Sequence, residues 1–404
     1  MKIDSTKTPS EILLALQQQA TRRVCGIMSG TSLDAIDVAI VRIHGCGVET
    51  KFALEAFKEI VFTDEVRDLI RRNSDERTSS VKEICQLDML LAHLYADAVR
   101  ATAAQHGISA DEIDLIGMHG QTIQHLPESE TLFGYPLRST MQIGSGAALA
   151  AMLSVPVVSD FRIADMALGG QGAPLIPYFD YLFFRSETND RILLNVGGIA
   201  NVTILPKKCE ANDVRAFDVG PGNMVIDALT RHYFAESFDR DGKHASQGTI
   251  HEQFLSRLLE HEFITKPYPK STGREMFGET FVRKFIETGE REYHLTPEDM
   301  LATATEFTAA CIAKGCVCAL PDPVSLEVIV SGGGLKNFFL MTVLKKYFSS
   351  DSISPIEAHG IPSSAKEALC FAVLANEWLH GNRTNMPSAT GARKQTLLGS
   401  LSIG

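Results

Sequence analysis

The sequence has no apolar run approaching the roughly 18 residues of a membrane span, and its N-terminal segment lacks the basic and apolar regions of a secretory signal. It also has little positive charge: 38 basic residues face 49 acidic ones, a formal net charge of −11, with no dense basic run. We therefore expect a cytoplasmic protein with neither a membrane nor a nucleic acid as partner. An acidic chain that binds an anionic ligand must do so locally, through glycine-rich loops, helix N-termini or a metal ion.

The eight cysteines follow no disulfide or metal-binding pattern. The one close pair, Cys316 and Cys318, has a single intervening residue, which is poor spacing for zinc. Most of the others lie in apolar surroundings, so we expect reduced, buried thiols. With 404 residues, 45% hydrophobic and 22% charged, the composition is that of a globular protein of roughly two domains.

Helix and strand signals follow one another without a linker. Residues 8–11 combine a threonine N-cap, a proline and a glutamate, and they predict a short helix through Gln18 ahead of the main fold. Residues 80–83 predict a second capping box, for a helix that ends near Gly107. Residues 23–43 run apolar, break at a small polar tip and resume with alternation, which predicts an antiparallel hairpin.

The second half of the chain repeats this pattern. ILLNVGGIANVTIL breaks at a glycine pair between two apolar runs, a helix is predicted from Thr296, and a buried strand at residues 328–330 ends in three glycines. A last helix is predicted from Ala365 to Leu379. This weak internal symmetry predicts a duplicated scaffold.

Three glycine-rich turns each follow an apolar strand. One such turn is usually only a turn, but three favour backbone N–H groups that hold a polyphosphate. They are Gly30-Thr31-Ser32, Gly197-Gly198 and Gly332-Gly333-Gly334. Asp34 and Asp37 follow the first turn and could hold Mg²⁺ through water, or Asp34 could only cap the turn.

Two further carboxylates stand in informative places. Asp218 lies between a buried aromatic and two glycines, where it could be a base aimed into a cleft or the N-cap of the following helix, and the sequence leaves both interpretations open. Glu367 lies near a helix N-terminus, which favours a carboxylate whether or not it touches a ligand.

Two polar segments are candidates for sugar recognition. Residues 160–174 form a loop rich in hydrogen-bonding groups, with Arg162, Asp165 and Gln171, which suits sugar hydroxyls; the alternative is an interdomain connection stabilised by an Arg162–Asp165 pair. His119 and Gln121 stand at a predicted strand end without a G-x-S-x-G nucleophile motif. Their side chains either face the cleft or satisfy a domain core.

Nine ordered motifs resemble those of the anhydro-N-acetylmuramic acid kinases and span the chain from Arg23 to Gly399. They are GIMSGTSLDAID, GMHGQTIQHLP, SDFRIADMALGGQGAPLIP, LNVGGIANVTIL, FDVGPGNMVIDAL, DRDGKHASQG, PKSTGREMF, VSGGGLKN and AKEALCFAVLA. The resemblance implies an α/β protein with a two-domain actin-like ATPase (ribonuclease H-like) fold, a duplicated βββαβα core and an active-site cleft between lobes. It also implies ATP, Mg²⁺ and a homodimer.

The domain organisation expected on this basis has three parts. Residues 1–22 form an N-terminal extension, residues 23–160 an N-terminal lobe and residues 161–404 a C-terminal lobe, whose last helix packs back near the cleft.

In the reaction that the resemblance implies, water opens the 1,6-anhydro bridge of the sugar while O6 accepts the γ-phosphoryl group, which yields N-acetylmuramic acid 6-phosphate in cell-wall recycling. Asp218 resembles the base that activates the water. Glu367 resembles a second acidic residue, near a metal that it shares with Asp34. Further positions resemble the ATP-binding loops: Gly30, Thr31, Ser32, Leu33, Asp34, Ala35, Ile36, Asp37, Gly197, Gly198, Gly332, Gly333, Gly334 and Asn337.

One departure from the family pattern and two alternatives remain. Ala35 stands where the family usually has glycine, and a left-handed backbone there would cost about 1–2 kcal/mol. Levoglucosan kinases are related, but they carry an arginine at the position of Gly170. A non-catalytic sugar or nucleotide sensor is the other alternative, and the joint presence of Asp34, Asp218 and Glu367 argues against it.

Overall fold

The computed structural model describes residues 8–320, 323 and 325–404. It divides into two compact units: Met1–Leu182 together with Ser364–Gly404, and Phe183–Ser363. The predicted boundary at residue 160 and the placement of the last helix in a C-terminal lobe differ from this division. Of the predicted extension, residues 1–7 lie outside the described part.

The described residues of both units form strands and helices. The strands are β1 (Thr21–Ser29), β2 (Ala35–His44), β3 (Lys51–Val61), β4 (Leu115–Leu132), β5 (Tyr135–Ile143), β6 (Val157–Ser159), β7 (Asp190–Val196), β8 (Ile199–Leu205), β9 (Arg215–Pro221), β10 (Leu326–Ser331), β11 (Ile353–Pro355) and β12 (Ser400–Ser402). The helices are α1 (Pro9–Gln18), α2 (Asp64–Asn73), α3 (Val81–Gln105), α4 (Gly146–Leu153), α5 (Ile163–Ala167), α6 (Ile176–Phe184), α7 (Asn223–Phe234), α8 (Glu252–Leu258), α9 (Glu262–Thr265), α10 (Arg274–Phe277), α11 (Glu279–Arg291), α12 (Pro297–Ala319), α13 (Phe338–Tyr347), α14 (Lys366–Leu379) and α15 (Pro387–Thr390).

The sheets of the two units share one topology. The first is ordered β12-β6-β4-β1-β2-β3, with β5 beside β4, and the second β11-β10-β7-β8-β9. In each, three antiparallel strands are followed by two or more helices and a strand parallel to the first, and then, after a further helix, by another parallel strand. This confirms the predicted α/β class and the duplicated, ribonuclease H-like βββαβα core.

One of the two predicted capping boxes is confirmed, and the helix predicted from Thr296 also begins with a capping box. Residues 8–11 and 296–299 each form one, with a proline in the first helical turn. The predicted box at α3 is wrong, because the side chain of Ser80 makes no cap bond. Glu83 turns away and accepts a hydrogen bond from Asn73 Nδ2 at 3.0 Å.

A pair of glycines explains why α14 belongs to the first unit. Gly26 of β1 lies opposite Gly117 of β4. A Cβ on Gly26 would lie 1.7 Å from the carbonyl oxygen of Ala368, and one on Gly117 2.0 Å from that of Phe371. The backbone of α14 thus rests directly on these two strands, a contact that joins segments far apart in the sequence.

Helix α12 is the centre of the second unit. By length and composition it is the one helix of the described residues that could cross a membrane, but 78% of its most apolar window is buried inside the protein. It packs between the helical layer of α7 and the sheet of β7–β10. Five of the eight free cysteines are buried, in agreement with the predicted apolar surroundings.

Candidate active site

The first predicted phosphate turn is the tip of the β1–β2 hairpin. The amide of Leu33 donates to the carbonyl of Gly30 at 3.2 Å, which closes the turn, while Thr31 and Ser32 are exposed. The left-handed φ of 61° falls on Leu33. Ala35 already lies in β2 and takes no left-handed conformation, so the departure from glycine carries no such cost here.

A group of carboxylates follows this turn. Asp34 is exposed, Ile36 is a core residue, and Asp37 is half-buried in β2. Loss of hydration raises the pKa of Asp37 to about 7, and three carboxylates add to the effect, those of Glu59, Glu367 and Asp34. The described residues contain no set of three or more His, Cys, Asp or Glu side chains that could cage a metal ion. The carboxylates around Asp37 instead suit an oxygen-ligated cation that takes further ligands from outside the protein.

Glu367 occupies the first turn of α14, which the glycine pair of β1 and β4 holds in place. Removal of water by the surrounding protein raises its pKa, against the opposing effect of Arg162 and Lys366. The ammonium of Lys366 lies 2.7 Å from the carboxylate of Asp180, and both side chains are buried. The ion pair therefore fixes the start of α14.

His119 is a buried, neutral partner of Arg162. Its Nε2 accepts a hydrogen bond from Arg162 Nε at 2.9 Å, which leaves Nδ1 to donate to the carbonyl of Gly120 at 2.7 Å. Burial, then the charge of Arg162, lowers the pKa of His119 to about 3. The guanidinium also donates to the carbonyl of Gly172 at 2.7 Å. His119 thus orients Arg162 and does not act as an acid or a base.

Asp165 anchors the loop of residues 160–174. It is fully buried and accepts hydrogen bonds from the Gly172 amide at 2.8 Å, Asn385 Nδ2 at 2.8 Å and Thr390 Oγ1 at 2.7 Å. Since three protein donors occupy it, Asp165 supports the loop instead of facing a sugar. The loop lies within the first unit, so the alternative of an interdomain connection is wrong. The Arg162–Asp165 pair of that alternative is replaced by the hydrogen bonds of Asp165 to Gly172, Asn385 and Thr390.

The two predicted glutamines differ in their surroundings. Gln171 is half-buried, and its backbone amide donates to the carbonyl of Thr390 at 2.8 Å. Gln121 is fully buried; its Nε2 donates to the carbonyl of Gly30 at 3.2 Å, whereas its Oε1 has no partner among the described residues. Gln121 therefore ties the hairpin turn to β4.

In the second unit, Asp218 lies within β9, and Gly222 is the N-cap of α7. The N-cap interpretation of Asp218 is therefore wrong. Its Oδ2 accepts the backbone amide of Thr272 at 2.8 Å, and its own amide donates to the carbonyl of Lys270 at 3.0 Å. Burial raises the pKa of Asp218 to about 6; the Thr272 amide lowers it and the charge of Glu275 raises it further.

The turn at Gly197 and Gly198 caps a helix. Their carbonyls accept the backbone amides of Gly222, Asn223 and Met224 at 2.8 to 3.1 Å. These three N–H groups at the start of α7 are thereby satisfied by the protein. The turn holds α7 against β7 and β8, and this is a different role from the phosphate cradle predicted for it.

The third glycine run leaves one open position. A Cβ on Gly332 or Gly334 would lie 2.7 or 2.5 Å from atoms of Val196, whereas Gly333 is exposed, with nothing nearer than 3.7 Å. Asn337 is the N-cap of α13, and its side-chain oxygen accepts an amide of the first turn at 2.9 Å. Gly333 can thus approach a ligand closely, while Asn337 positions the helix.

Sequence reasoning assigned no role to Thr272, Glu275, Lys366 or Asp180. The motif PKSTGREMF contains the first two and was noted only through the family resemblance. The Lys366–Asp180 pair had no local signal, because its partners lie on helices far apart in the chain.

Comparisons with known proteins agree over nearly the whole chain. A family model described as anhydro-N-acetylmuramic acid kinase matches residues 22–403. A protein of that name from Salinibacter ruber is 47% identical over 394 residues, which cover 97% of this chain and 99% of that protein. Proteins of the same name from Caldanaerobacter subterraneus and Bacillus cereus (strain G9842) are 40% and 42% identical, over 97% and 94% of this chain and 99% of each relative.

Proposed function

Because the chain belongs to the anhydro-N-acetylmuramic acid kinase family, we propose that it uses ATP to phosphorylate O6 of 1,6-anhydro-N-acetylmuramic acid as water opens the anhydro bridge. The product is N-acetylmuramic acid 6-phosphate, which places the enzyme in the recycling of cell-wall sugars. The observation that carries the proposal is Asp218, a half-buried carboxylate with a pKa near 6, one oxygen of which has no donor among the described residues.

A carboxylate with these properties suits a general base. Its raised pKa makes it a better proton acceptor than an ordinary aspartate, yet it remains ionised near neutral pH. Asp218 takes a proton from water as the water oxygen bonds to the anomeric carbon. The bond from that carbon to O6 breaks, and O6 bonds to the γ-phosphorus as ADP leaves.

The first unit supplies the phosphate-binding groups in this proposal. The exposed hydroxyls of Thr31 and Ser32 face the phosphates at the hairpin tip. Asp34, Glu367 and the neighbouring Asp37 would hold Mg²⁺. When bound, the ion neutralises charge that develops on the phosphoryl oxygens.

Arg162 is the strongest candidate for sugar recognition. His119 fixes its guanidinium, and Gln171 lies in the same anchored loop. The loop also bears on the choice of acceptor: a Cβ on Gly170 would lie 2.1 Å from Asp165 Oδ2. The arginine of levoglucosan kinases would not fit this arrangement, and we therefore favour the muramic acid substrate over levoglucosan.

Homodimer formation, the expected assembly of the family, is supported by the β4–β5 hairpin. Six of its apolar side chains are more than 40% exposed, and Phe133 at the tip is 92% exposed. These are Leu126, Leu132, Phe133, Tyr135, Leu137 and Met141. We further propose that the dimer is cytoplasmic.

The test is a phosphate-transfer assay with purified protein, ATP and Mg²⁺. We expect turnover with 1,6-anhydro-N-acetylmuramic acid, at least ten times less with levoglucosan, and none without an acceptor. Mass spectrometry should place one phosphoryl group and one added water in the product. ADP release that is the same with and without either sugar would exclude the kinase, and tight sugar binding without turnover would support the sensor.

A further inference from the structure

The segment beside Asp218 holds a polar atom that the protein does not satisfy. Thr272 gives its backbone amide to Asp218 Oδ2 at 2.8 Å, and its own Oγ1 is buried without a hydrogen-bond partner among the described residues. A buried hydroxyl without a partner is unfavourable, and native proteins rarely leave one so. The Thr272 hydroxyl thus has hydrogen-bonding capacity that the described residues do not use.

The segment is also held firmly in place. The carbonyl of Lys270 accepts the amide of Asp218 at 3.0 Å, and the ammonium of Lys270 donates to the carbonyls of Phe263 and Ile264 at 2.9 and 3.2 Å. Thr272 carries both the backbone amide that bonds Asp218 Oδ2 and the unpartnered Oγ1. The bond between the amide and the carboxylate therefore keeps the hydroxyl near Asp218.

We propose that Thr272 Oγ1 and Asp218 Oδ1 together bind the water that attacks the anomeric carbon. This inference rests on the proposed function and deepens it. The threonine hydroxyl holds the water, Asp218 Oδ1 takes one of its protons, and the water oxygen bonds to the anomeric carbon. The bond between that carbon and O6 breaks, O6 takes the γ-phosphoryl group and ADP departs.

Two charged residues, Lys270 and Glu275, lie in the same segment as Thr272. A Cβ on Gly273 would lie 2.6 Å from Glu275 Oε2, so the glycine leaves room for that carboxylate to fold back over the loop. The charge of Glu275 opposes ionisation of Asp218. The cation of Lys270 is engaged by two carbonyls and lies 4.6 Å from the ring of Phe263. Thr272 is accordingly an uncharged donor that contacts Asp218 directly through its backbone amide.

The experiment compares Thr272→Val, which keeps the shape and the backbone amide but loses the hydroxyl, with Thr272→Ser, which keeps both polar groups. We expect kcat to fall about 100-fold in the valine variant, with KM for sugar and ATP within about twofold of wild type. Serine should restore kcat to within about threefold. The acid limb of the pH profile should not move, because the amide bond to Asp218 persists.

A purely structural threonine makes the opposite forecast, since removing an unpartnered buried hydroxyl would raise the melting temperature and leave kcat unchanged. That result, or a serine variant as impaired as valine, overturns the inference. Thr272→Ala is measured in the same series, and it serves as the variant without the hydroxyl if Thr272→Val does not fold. Asp218→Asn distinguishes failure of the water site from failure of the proposed function. If Asp218→Asn is inactive while Thr272→Val remains active, only the water site is wrong. If Asp218→Asn remains active, the assignment of Asp218 as the base is wrong.

Discussion

At Asp218, burial and a single backbone hydrogen bond act on one carboxylate in opposite directions. Burial disfavours the charged form, whereas the Thr272 amide stabilises it, and the net pKa is about 6. Within the described part of the chain, a hydrogen bond to one oxygen of the carboxylate orients the group and leaves the other oxygen free for a proton. The sequence identified this residue as either a base or a cap, and the path of β9 through Pro221 excludes the cap.

The first prediction concerns Asp218→Asn. The amide keeps the size of the side chain and an oxygen for the Thr272 amide but loses basicity, so we expect kcat to fall by about 10² to 10⁴. Binding of nucleotide and sugar, measured by calorimetry, should change little. Circular dichroism melting on the same sample controls for folding. A variant with more than about a tenth of wild-type activity would refute the base.

The pH dependence gives a second prediction. The base must be ionised, so kcat/KM should fall about tenfold per unit as the pH drops below about 6. Glu275→Gln removes a negative charge that raises the pKa of Asp218, and this limb should therefore move to lower pH. Glu287→Gln on α11 is the charge-matched control and should leave the profile in place. A flat profile between pH 4 and 7 contradicts the assignment.

A third prediction follows from Asp37. Its folded pKa of about 7 lies above the ordinary value of 3.8, so the folded protein binds the proton more tightly than the unfolded chain. Stability is therefore lost as the pH rises from about 4 to 7. Asp37→Asn should raise the melting temperature at pH 8 and leave it unchanged at pH 3.

Mg²⁺ provides the check on this third prediction. Scanning fluorimetry at pH 8 should show that the ion stabilises the wild type more than Asp37→Asn, because the ion relieves repulsion that the variant lacks. If the two proteins melt alike at pH 8 without Mg²⁺, Asp37 is not repelled by its neighbours as described.

At the scale of elements, local patterns predicted the hairpins and long-range contacts determined the rest. The β1–β2 and β7–β8 hairpins have alternating apolar residues around small turns, and both are confirmed. The capping box at Ser80 failed, because Asn73 of the preceding helix competes for Glu83. The engaged oxygen atoms of Asp165 could not be foreseen either, since Asn385 and Thr390 lie far along the chain and reach Asp165 only through packing.

The contact between Gly26 and α14 allows a fourth prediction. Gly26→Ala would bring a methyl group within 1.7 Å of the Ala368 carbonyl, and α14, with Glu367 at its start, would have to shift. We expect a loss of about 3 kcal/mol of stability in urea, together with lower activity. Gly381 lies just after the same helix, and a methyl group there would meet open space. Gly381→Ala should therefore cost only about 1–2 kcal/mol of stability, because the backbone is left-handed at this position, with a φ of 71°. Equal stability of the two variants would contradict the packing.

At the scale of the whole molecule, the internal symmetry was visible in the sequence but the boundary was not. The five core strands have the same order in both sheets, β6-β4-β1-β2-β3 and β11-β10-β7-β8-β9. The two hairpins with glycine-containing turns predicted this duplication. The chain leaves the first unit after Leu182 and returns to it at Ser364. A return of this kind depends on the docking of α14 on β1 and β4, for which no linker composition gives a signal.

The last prediction tests that boundary by cutting the chain. Residues 183–363 contain β7–β11 and the whole of two buried clusters, so we expect this fragment, expressed alone, to be monomeric and to unfold cooperatively. Residues 161–404 follow the predicted lobe and carry α14 without β1 and β4, and β12 without its partner β6. The apolar face of α14 would then be exposed, and this longer fragment should aggregate and bind a hydrophobic dye. Size-exclusion chromatography and thermal melting compare the two fragments directly. If the 161–404 fragment is well folded and the 183–363 fragment is molten, the domain boundary lies at residue 160, as the sequence predicted.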